Sequence, residues 1–123
     1  MKKDEFKHQL NLALELMKEE KFKDALNLLE ALKNIEKATD FDYSLTHKLY
    51  QLLSNCQSLH NQNLILNHIK EISKIRTTIT FHELNQLLTN DLTISDAILV
   101  REIELLILRG LLSCKIEGNR IIF

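Results

Sequence analysis

The sequence predicts a mainly α-helical chain that ends in a small antiparallel β-sheet. Its 123 residues include no proline and only two glycines, so few positions interrupt helices. Gly110 follows a long apolar run, where a glycine in the left-handed conformation typically ends a helix. Gly118 and Asn119 separate two short apolar segments, which is typical of a two-residue hairpin turn.

The N-terminal part is expected to hold four helices, over residues 4–19, 23–37, 43–57 and from 61 onward. Each carries apolar residues at helical spacing, and these four stripes are Phe6, Leu10, Ala13, Leu14 and Met17; Phe22, Ala25, Leu26, Leu29 and Leu32; Leu45, Leu49, Leu52, Leu53 and Cys56; and Ile65, Ile69, Ile72 and Ile75. The breaks between helices are expected at residues 19–21 and 39–42, and Ser58 or Asn61 is expected to cap the fourth helix.

The first two helices are expected to form an αα-hairpin, and residues 16–32 resemble the turn and second helix of a tetratricopeptide unit. One such unit cannot bury its apolar face alone. Residues 1–76 are therefore predicted to form a helical-repeat bundle in which the hairpin stacks on the helices that follow.

The C-terminal part reads as strand 78–80, helix 81–88, helix 96–109, and two strands within 111–117 and 120–123. Leu84, Leu87 and Leu88 are expected to face inward, and Ser95 is a plausible N-cap with Asp96 in the first turn. This order of strand, two helices and hairpin is that of a winged helix, predicted over residues 77–123. Five residues are expected to be structural: Phe81, Ile107, Gly110, Gly118 and Asn119.

Composition and motifs argue against enzymatic chemistry. The two glycines do not have the spacing of a phosphate-binding loop. His82-Glu83 begins like a zinc motif, but Gln86 occupies the position of the second histidine. The histidines are expected in different elements, and Glu102 and Glu104 are two residues apart, so they face different sides of a helix. We therefore expect no catalytic residues, no metal ligands and no cofactor.

The cysteines and the N-terminus indicate where the protein resides. Cys56 and Cys114 lie far apart and lack metal-ligand spacing, so they are expected to be reduced, mostly buried thiols. The charged N-terminal residues lack the apolar core of a signal peptide, and no apolar stretch is long enough to span a membrane. These features predict a cytoplasmic or nuclear protein without a membrane segment.

The last part of the chain resembles the PCI domain, the module of proteasome lid, COP9 signalosome and initiation factor 3 subunits. The family pattern of an apolar helix, a basic residue and I-x-(F/Y)-x-x-L-x-x-x-L is matched by Ile72, Arg76, Ile79, Phe81, Leu84 and Leu88. The following helix, glycine and wing are matched by Leu99, Ile103, Glu104, Ile107, Gly110, Leu111, Leu112, Lys115, Ile116, Glu117, Asn119, Arg120, Ile121 and Ile122. Short forms similar to signalosome subunit 7 are the nearest in pattern.

This resemblance implies a non-enzymatic scaffold subunit whose partners are other PCI-type subunits. Two departures are a shorter helical part than the family usually carries and an end at Phe123, where many members add helices. The strand over residues 120–123 is expected to leave an open sheet edge. The predicted interface therefore comprises Lys115, Arg120, Ile121, Ile122 and Phe123, with a basic residue pairing an acid on the neighbour.

The alternative is a small winged-helix protein that binds nucleic acid or acts in transcription. The whole chain has 16 basic and 17 acidic residues, and residues 77–123 hold more acidic than basic side chains. A phosphate-binding surface needs the opposite balance, so nucleic acid is a disfavoured partner. The helix over 96–109 is apolar on more than one side, which predicts either a second internal cover or a protein interface.

Overall fold

The computed structural model describes residues 1–39 and 41–123 and is mainly helical, with a three-stranded antiparallel sheet. Its elements are α1 (Lys3–Lys18), α2 (Phe22–Ala38), α3 (Tyr43–Ile72), β1 (Thr78–Thr80), α4 (Phe81–Leu88), α5 (Asp96–Leu108), β2 (Lys115–Glu117) and β3 (Arg120–Ile122). Two compact units divide within α3, at His60 and Asn61. This point lies before the predicted division after residue 76, because the last turns of α3 supply apolar residues to the second core.

The first unit is built on the packing of α1 against α2 and on the first part of α3. Its buried residues follow the predicted stripes, and they are Phe6, Leu10, Ala13, Phe22, Ala25, Leu29, Leu32, Leu45, Leu49, Leu52 and Cys56. The rings of Phe6 and Phe41 lie 4.4 Å apart between centroids. Of the break expected at residues 39–42, Asp40 lies outside the described residues.

The turn between α1 and α2 is tight because a charged residue adopts a conformation that favours glycine. Glu20 has a φ of 61°. Its N–H donates to the carbonyl of Met17 at 3.0 Å, and the N–H of Lys21 donates to the carbonyl of Leu16 at 2.9 Å. This pair of bonds satisfies the last carbonyls of α1 and is the Schellman arrangement.

The expected break within residues 58–63 is wrong, because α3 is one continuous helix of 30 residues. Ser58 and Asn61 are therefore interior helical residues and not N-caps. No glycine or proline interrupts this stretch of the sequence, and Asn61 and Gln62 are buried. These polar residues resemble the start of a helix, yet they lie inside one, where Asn61 and Gln62 are buried and have interaction partners.

The second unit packs α4, α5 and the sheet around the end of α3. Its buried residues are Ile65, Ile69, Ile72, Ile79, Phe81, Leu84, Leu88, Leu92, Leu99, Ile103, Leu106 and Ile121. Two expected core residues are exposed instead. Leu87 is 51% exposed beside the buried stripe of α4, and Ile75 is 83% exposed because α3 has already ended.

Both helices of the second unit begin with a side-chain cap. Thr80 Oγ1 accepts the N–H of Glu83 at 3.1 Å, and Glu83 Oε1 accepts the N–H of Thr80 at 3.3 Å, which is a capping box. The predicted cap of α5 is confirmed, since Ser95 Oγ accepts the N–H of Ile98 at 3.2 Å. These bonds fix where α4 and α5 start relative to β1 and to the loop between them.

Gly110 ends α5 as the sequence predicts. It has a φ of 73°, and its N–H donates to the carbonyl of Ile107 at 3.0 Å. The N–H of Leu111 donates to the carbonyl of Leu106 at 3.0 Å, so the same two bonds close α1 and α5. The hairpin turn holds Gly118 at a φ of 59°, while the φ of Asn119 is negative, as in a type II′ turn.

The sheet order is β1-β3-β2, with both pairs antiparallel. The expected open edge at residues 120–123 is therefore wrong, because β3 is the middle strand. Ile121 lies opposite Ile79 on one side and Ile116 on the other. The last strand of the chain is central because β1 occupies the side that a lone hairpin would leave free.

Glu20 and Gly110 each adopt a positive φ just after a helix, so adding or removing a glycine there should shift stability in opposite directions. Glu20→Gly should raise the free energy of unfolding by roughly 0.5–1 kcal/mol, because glycine removes the strain of a non-glycine residue at positive φ. Gly110→Val should lower it by more than about 1 kcal/mol for the same reason. An added Cβ at Gly110 meets nothing within 4 Å, so the change isolates backbone strain. Urea unfolding monitored by circular dichroism would measure both, and a stabilising Gly110→Val would contradict the assignment.

Aspartate substitutions along α5 should follow the burial of the replaced side chain. Ile103 is fully buried, Ile107 is half-buried against the core, and Leu108 is 82% exposed. We expect a loss of more than about 3 kcal/mol for Ile103→Asp, about 1–2 for Ile107→Asp and within about 0.5 for Leu108→Asp. Melting temperatures would test the order. An unchanged value for Ile107→Asp would show that the helix phase is wrong.

Candidate interaction surface

The two edges of the sheet differ in how their backbone groups are satisfied. At the β1 edge, the N–H of Thr80 donates to Glu83, whose carboxylate also accepts from Arg76 Nη1 at 2.9 Å. This side chain covers the edge with charge, and α4 begins at once after β1. At the other edge, Lys115 and Glu117 of β2 are exposed, so β2 is the edge open to another chain.

The outward face of the sheet carries a row of alternating charges. Arg120 on β3 lies opposite Glu117 on β2, and Ile122 lies opposite Lys115. Ile116 and Ile121 point to the other face, and Ile121 is fully buried in the core. Exposed and buried or half-buried residues therefore alternate along β2 and at the start of β3.

The C-terminal end of α5 exposes leucine side chains. Most of the helix is covered: Leu99, Ile103 and Leu106 are buried, and the other leucine, isoleucine and valine side chains before Leu108 are half-buried. Leu108 is 82% exposed and Leu111, just beyond Gly110, is 48% exposed. The second face of α5 is therefore largely covered within the protein, and the apolar excess is confined to this end of the helix.

Arg101 of α5 and Arg109, which follows the last residue of α5, are both engaged by acceptors in the same unit. Arg101 Nη2 lies 3.2 Å from Glu102 Oε1, and Arg109 donates to the side-chain oxygen of Gln62. Gln62 Nε2 in turn donates to Glu102 Oε2 at 3.2 Å. Glu102 is fully buried whereas Glu104 is exposed, which confirms that the two carboxylates lie on different sides of the helix. The network connects α5 to α3, and both guanidinium groups are bound within it.

The histidines of the second unit take part in separate pairs. His68 Nε2 lies 2.7 Å from Asp91 Oδ2, and His82 Nδ1 lies 3.7 Å from Asp96 Oδ2. Within residues 1–39 and 41–123, no group of three or more His, Cys, Asp or Glu side chains is arranged to hold a metal ion. The hydrogen bond between His68 and Asp91 joins α3 to the loop after α4, whereas the distance between His82 and Asp96 is longer than a hydrogen bond.

The two thiols are free and shielded. Burial raises the pKa of Cys56 and of Cys114, so the thiol form is favoured in both. Cys56 Sγ also donates to the carbonyl of Phe22 at 3.5 Å. A raised pKa lowers the fraction of nucleophilic thiolate at neutral pH.

An open cleft of about 220 Å³ lies beside the start of α5, lined by His82, Asn85, Gln86, Thr89, Leu92, Thr93, Ile94 and Asp96. Its polar groups already bind one another. Asn85 Nδ2 donates to the carbonyl of Ile94 at 2.9 Å and to Asp96 Oδ1 at 2.6 Å. These contacts hold the loop before α5 against α4.

The predicted interface residues separate into two groups. Lys115 and Arg120 are exposed on the outward face of the sheet, whereas Ile121 is buried and Ile122 and Phe123 are half-buried. Sequence reasoning left Glu117 and Leu108 out of the predicted interface residues, and both are exposed. Its place in β2 could have indicated Glu117 as an interface residue, because β2 becomes an edge strand once β1 pairs with β3.

No protein-family model, curated protein or solved structure matches this chain. None of the helices in the part of the chain that the structure describes has the length and apolar character needed to cross a membrane. Function is therefore inferred from the chemistry of the exposed surfaces.

Acid should weaken the capping box. The hydrogen bond from Arg76, followed by those from Thr80, holds the pKa of the Glu83 carboxyl below its usual range. The stabilisation is thus present at neutral pH and is lost as the pH falls below about 4.5, through the lowered pKa. Glu83→Gln should reduce the difference in unfolding free energy between pH 7 and pH 3, measured in urea. Glu104→Gln, on the exposed side of α5, is the matched control, and equal effects of the two changes would contradict the prediction.

Proposed function

We propose that the protein is a non-enzymatic scaffold subunit of a multi-protein assembly and that its second unit is a winged helix of the PCI type. The order of elements after α3 supports a winged helix: β1, α4, α5, β2 and β3 follow one another, and β3 lies between β1 and β2 in the sheet. In a winged helix, a first strand pairs with the last strand of the hairpin in this way. The motif resemblance in residues 69–123 supports the same family.

The observation that carries the proposal is the chemistry of the exposed end of α5. A winged helix that reads DNA presents free cations along this helix. Here Arg101 and Arg109 bind Glu102 and Gln62, and the exposed end of the helix carries Leu108. An exposed leucine at this position is suited to a protein surface and gives nothing to a phosphate.

The outward face of the sheet supplies a second, polar surface in the same unit. Lys115, Glu117 and Arg120 are exposed and alternate in sign across β2 and β3. Mixed charge steers and orients a protein partner, and it gives no net attraction for a polyanion. The partners we propose are other PCI-type subunits, which dock on the exposed end of α5 and on the charged outward face of the sheet. The alternative, a nucleic-acid or transcription-related winged helix, would require those arginines to be released.

Loss of the surface residues should disrupt the assembly without unfolding the chain. In tagged protein isolated from its source, native mass spectrometry should detect partner subunits with the wild type. Leu108→Asp and the double change Lys115→Glu with Arg120→Glu should each reduce partner occupancy by about tenfold, since surface contacts of this kind act mainly on dissociation. Leu12→Asp, at a leucine on α1 that is 41% exposed, is the control and should retain the partners.

Two outcomes would contradict the proposal. One is a native mass equal to that of the chain alone at every concentration. The other is a sequence-dependent nanomolar affinity for duplex DNA at physiological salt, where we expect no better than about 10⁻⁵ M. The second outcome would favour the nucleic-acid alternative.

A further inference from the structure

The backbone of β2 offers one complete pair of hydrogen-bonding groups to another strand. The N–H of Phe81 donates to Asn119 and the N–H of Phe123 donates to Thr77, so these are hydrogen-bonded pairs between the first and last strand regions. Because such pairs alternate along an antiparallel ladder, Ile121 exchanges its bonds with Ile79. The N–H and C=O of Ile121 therefore point toward β1 and away from β2.

The consequence for Ile116 follows from the same alternation. Ile116 lies opposite Ile121 and forms a non-hydrogen-bonded pair with it, so its own N–H and C=O point away from β3. Lys115 and Glu117, on either side, direct their backbone groups to β3. The open edge of the sheet thus presents one donor and one acceptor, both from Ile116.

The charged side chains on either side of Ile116 would complement those of a second, antiparallel copy of β2. β2 reads Lys115, Ile116, Glu117, and the two charged side chains lie on the outward face. If two copies of β2 meet antiparallel with Ile116 opposite Ile116, Lys115 of each copy lies directly opposite Glu117 of the other. Registers that place Lys115 opposite Lys115, or Glu117 opposite Glu117, set like charges against each other.

We infer that the β2 edge binds a second copy of this chain, forming a two-fold symmetric dimer with a continuous six-stranded sheet. The inference deepens the proposed function, on which it rests for the use of this surface, by naming a partner for the edge. Two hydrogen bonds join the Ile116 residues, and two symmetric Lys115–Glu117 contacts fix the register. Across the interface, Arg120, Glu117 and the second copy's lysine form a row of alternating charge.

The β1 edge is less suited to this role. By the same alternation Thr78 also directs its N–H and C=O away from β3, but β1 carries no charged side chain that would set a register with a second strand. The N–H of Thr80 points away from β3 and is taken by the carboxylate of Glu83. Arg76 holds that carboxylate in place from the outer side. Pairing is therefore directed to β2, and the two-fold arrangement closes the sheet without leading to an open chain of subunits.

The test is a charge swap measured by sedimentation equilibrium on the purified full chain. The wild type should show concentration-dependent dimerisation, and Lys115→Glu or Glu117→Lys alone should weaken it by about tenfold or more, because both contacts become repulsive. The double variant Lys115→Glu with Glu117→Lys restores complementarity across the interface and should recover most of the dimerisation, although the new lysine then lies opposite Arg120 of its own chain. An equimolar mixture of the two single variants should form a one-to-one heterodimer.

Hydrogen exchange at single residues locates the contact. The amide of Ile116 should exchange rapidly in dilute protein and become protected as concentration rises, while that of Ile121 stays protected throughout. Melting temperatures of all variants should remain close to the wild type, since the changed side chains are exposed. A wild type that stays monomeric at millimolar concentration, or self-association that the single charge changes leave unaltered, would overturn the inference.

The outcomes separate this dimer from the proposed scaffold role. A monomeric wild type that still carries partner subunits when isolated from its source would refute self-pairing and leave the scaffold function standing. A dimer that the charge changes weaken, isolated from its source without partner subunits, would support self-pairing and refute the scaffold function.

Discussion

The pairing of β1 with β3 is the constraint on which the second unit depends. It joins β1, which follows α3, to β3, the last strand of the chain. The elements α4, α5 and β2 therefore lie, in sequence, between the two strands of this pair. Ile79 and Ile121, which meet at the centre of this pair, are both buried in the core. The same pairing leaves β2 as the open edge, and the chemistry of that edge follows from three residues of sequence.

Much of this architecture was predictable because it is encoded by local rules. The two glycines were expected to end a helix and to form a hairpin turn, and both adopt positive φ. Ser95 was expected to cap α5, and it does. Such features depend on a few neighbouring residues, so a single sequence is sufficient to predict them.

The errors arose where distant residues decide the structure. Ser58 and Asn61 looked like the start of a helix, yet α3 continues through them. The neighbouring Gln62 bonds to Glu102 and Arg109, which are far along the chain and cannot be seen from local spacing. The position of β3 was misjudged for a similar reason, because an isolated hairpin has two free edges until β1 is paired with it. Of the predicted interface, Lys115 and Arg120 are exposed, while Ile121 is committed to the core.

The buried network on α5 also bears on the choice between protein and nucleic-acid partners. To meet a phosphate, Arg109 would have to leave Gln62, and Arg101 would have to leave the fully buried carboxylate of Glu102. Removing a hydrogen-bond partner from a buried polar group costs about 1–3 kcal/mol, although the exposure of Arg101 reduces its share. Each phosphate contact would begin with this penalty, whereas a protein docking on Leu108 and the outward face of the sheet leaves the network intact. The sequence balance of charge and the internal use of the arginines therefore favour the same partner class for independent physical reasons.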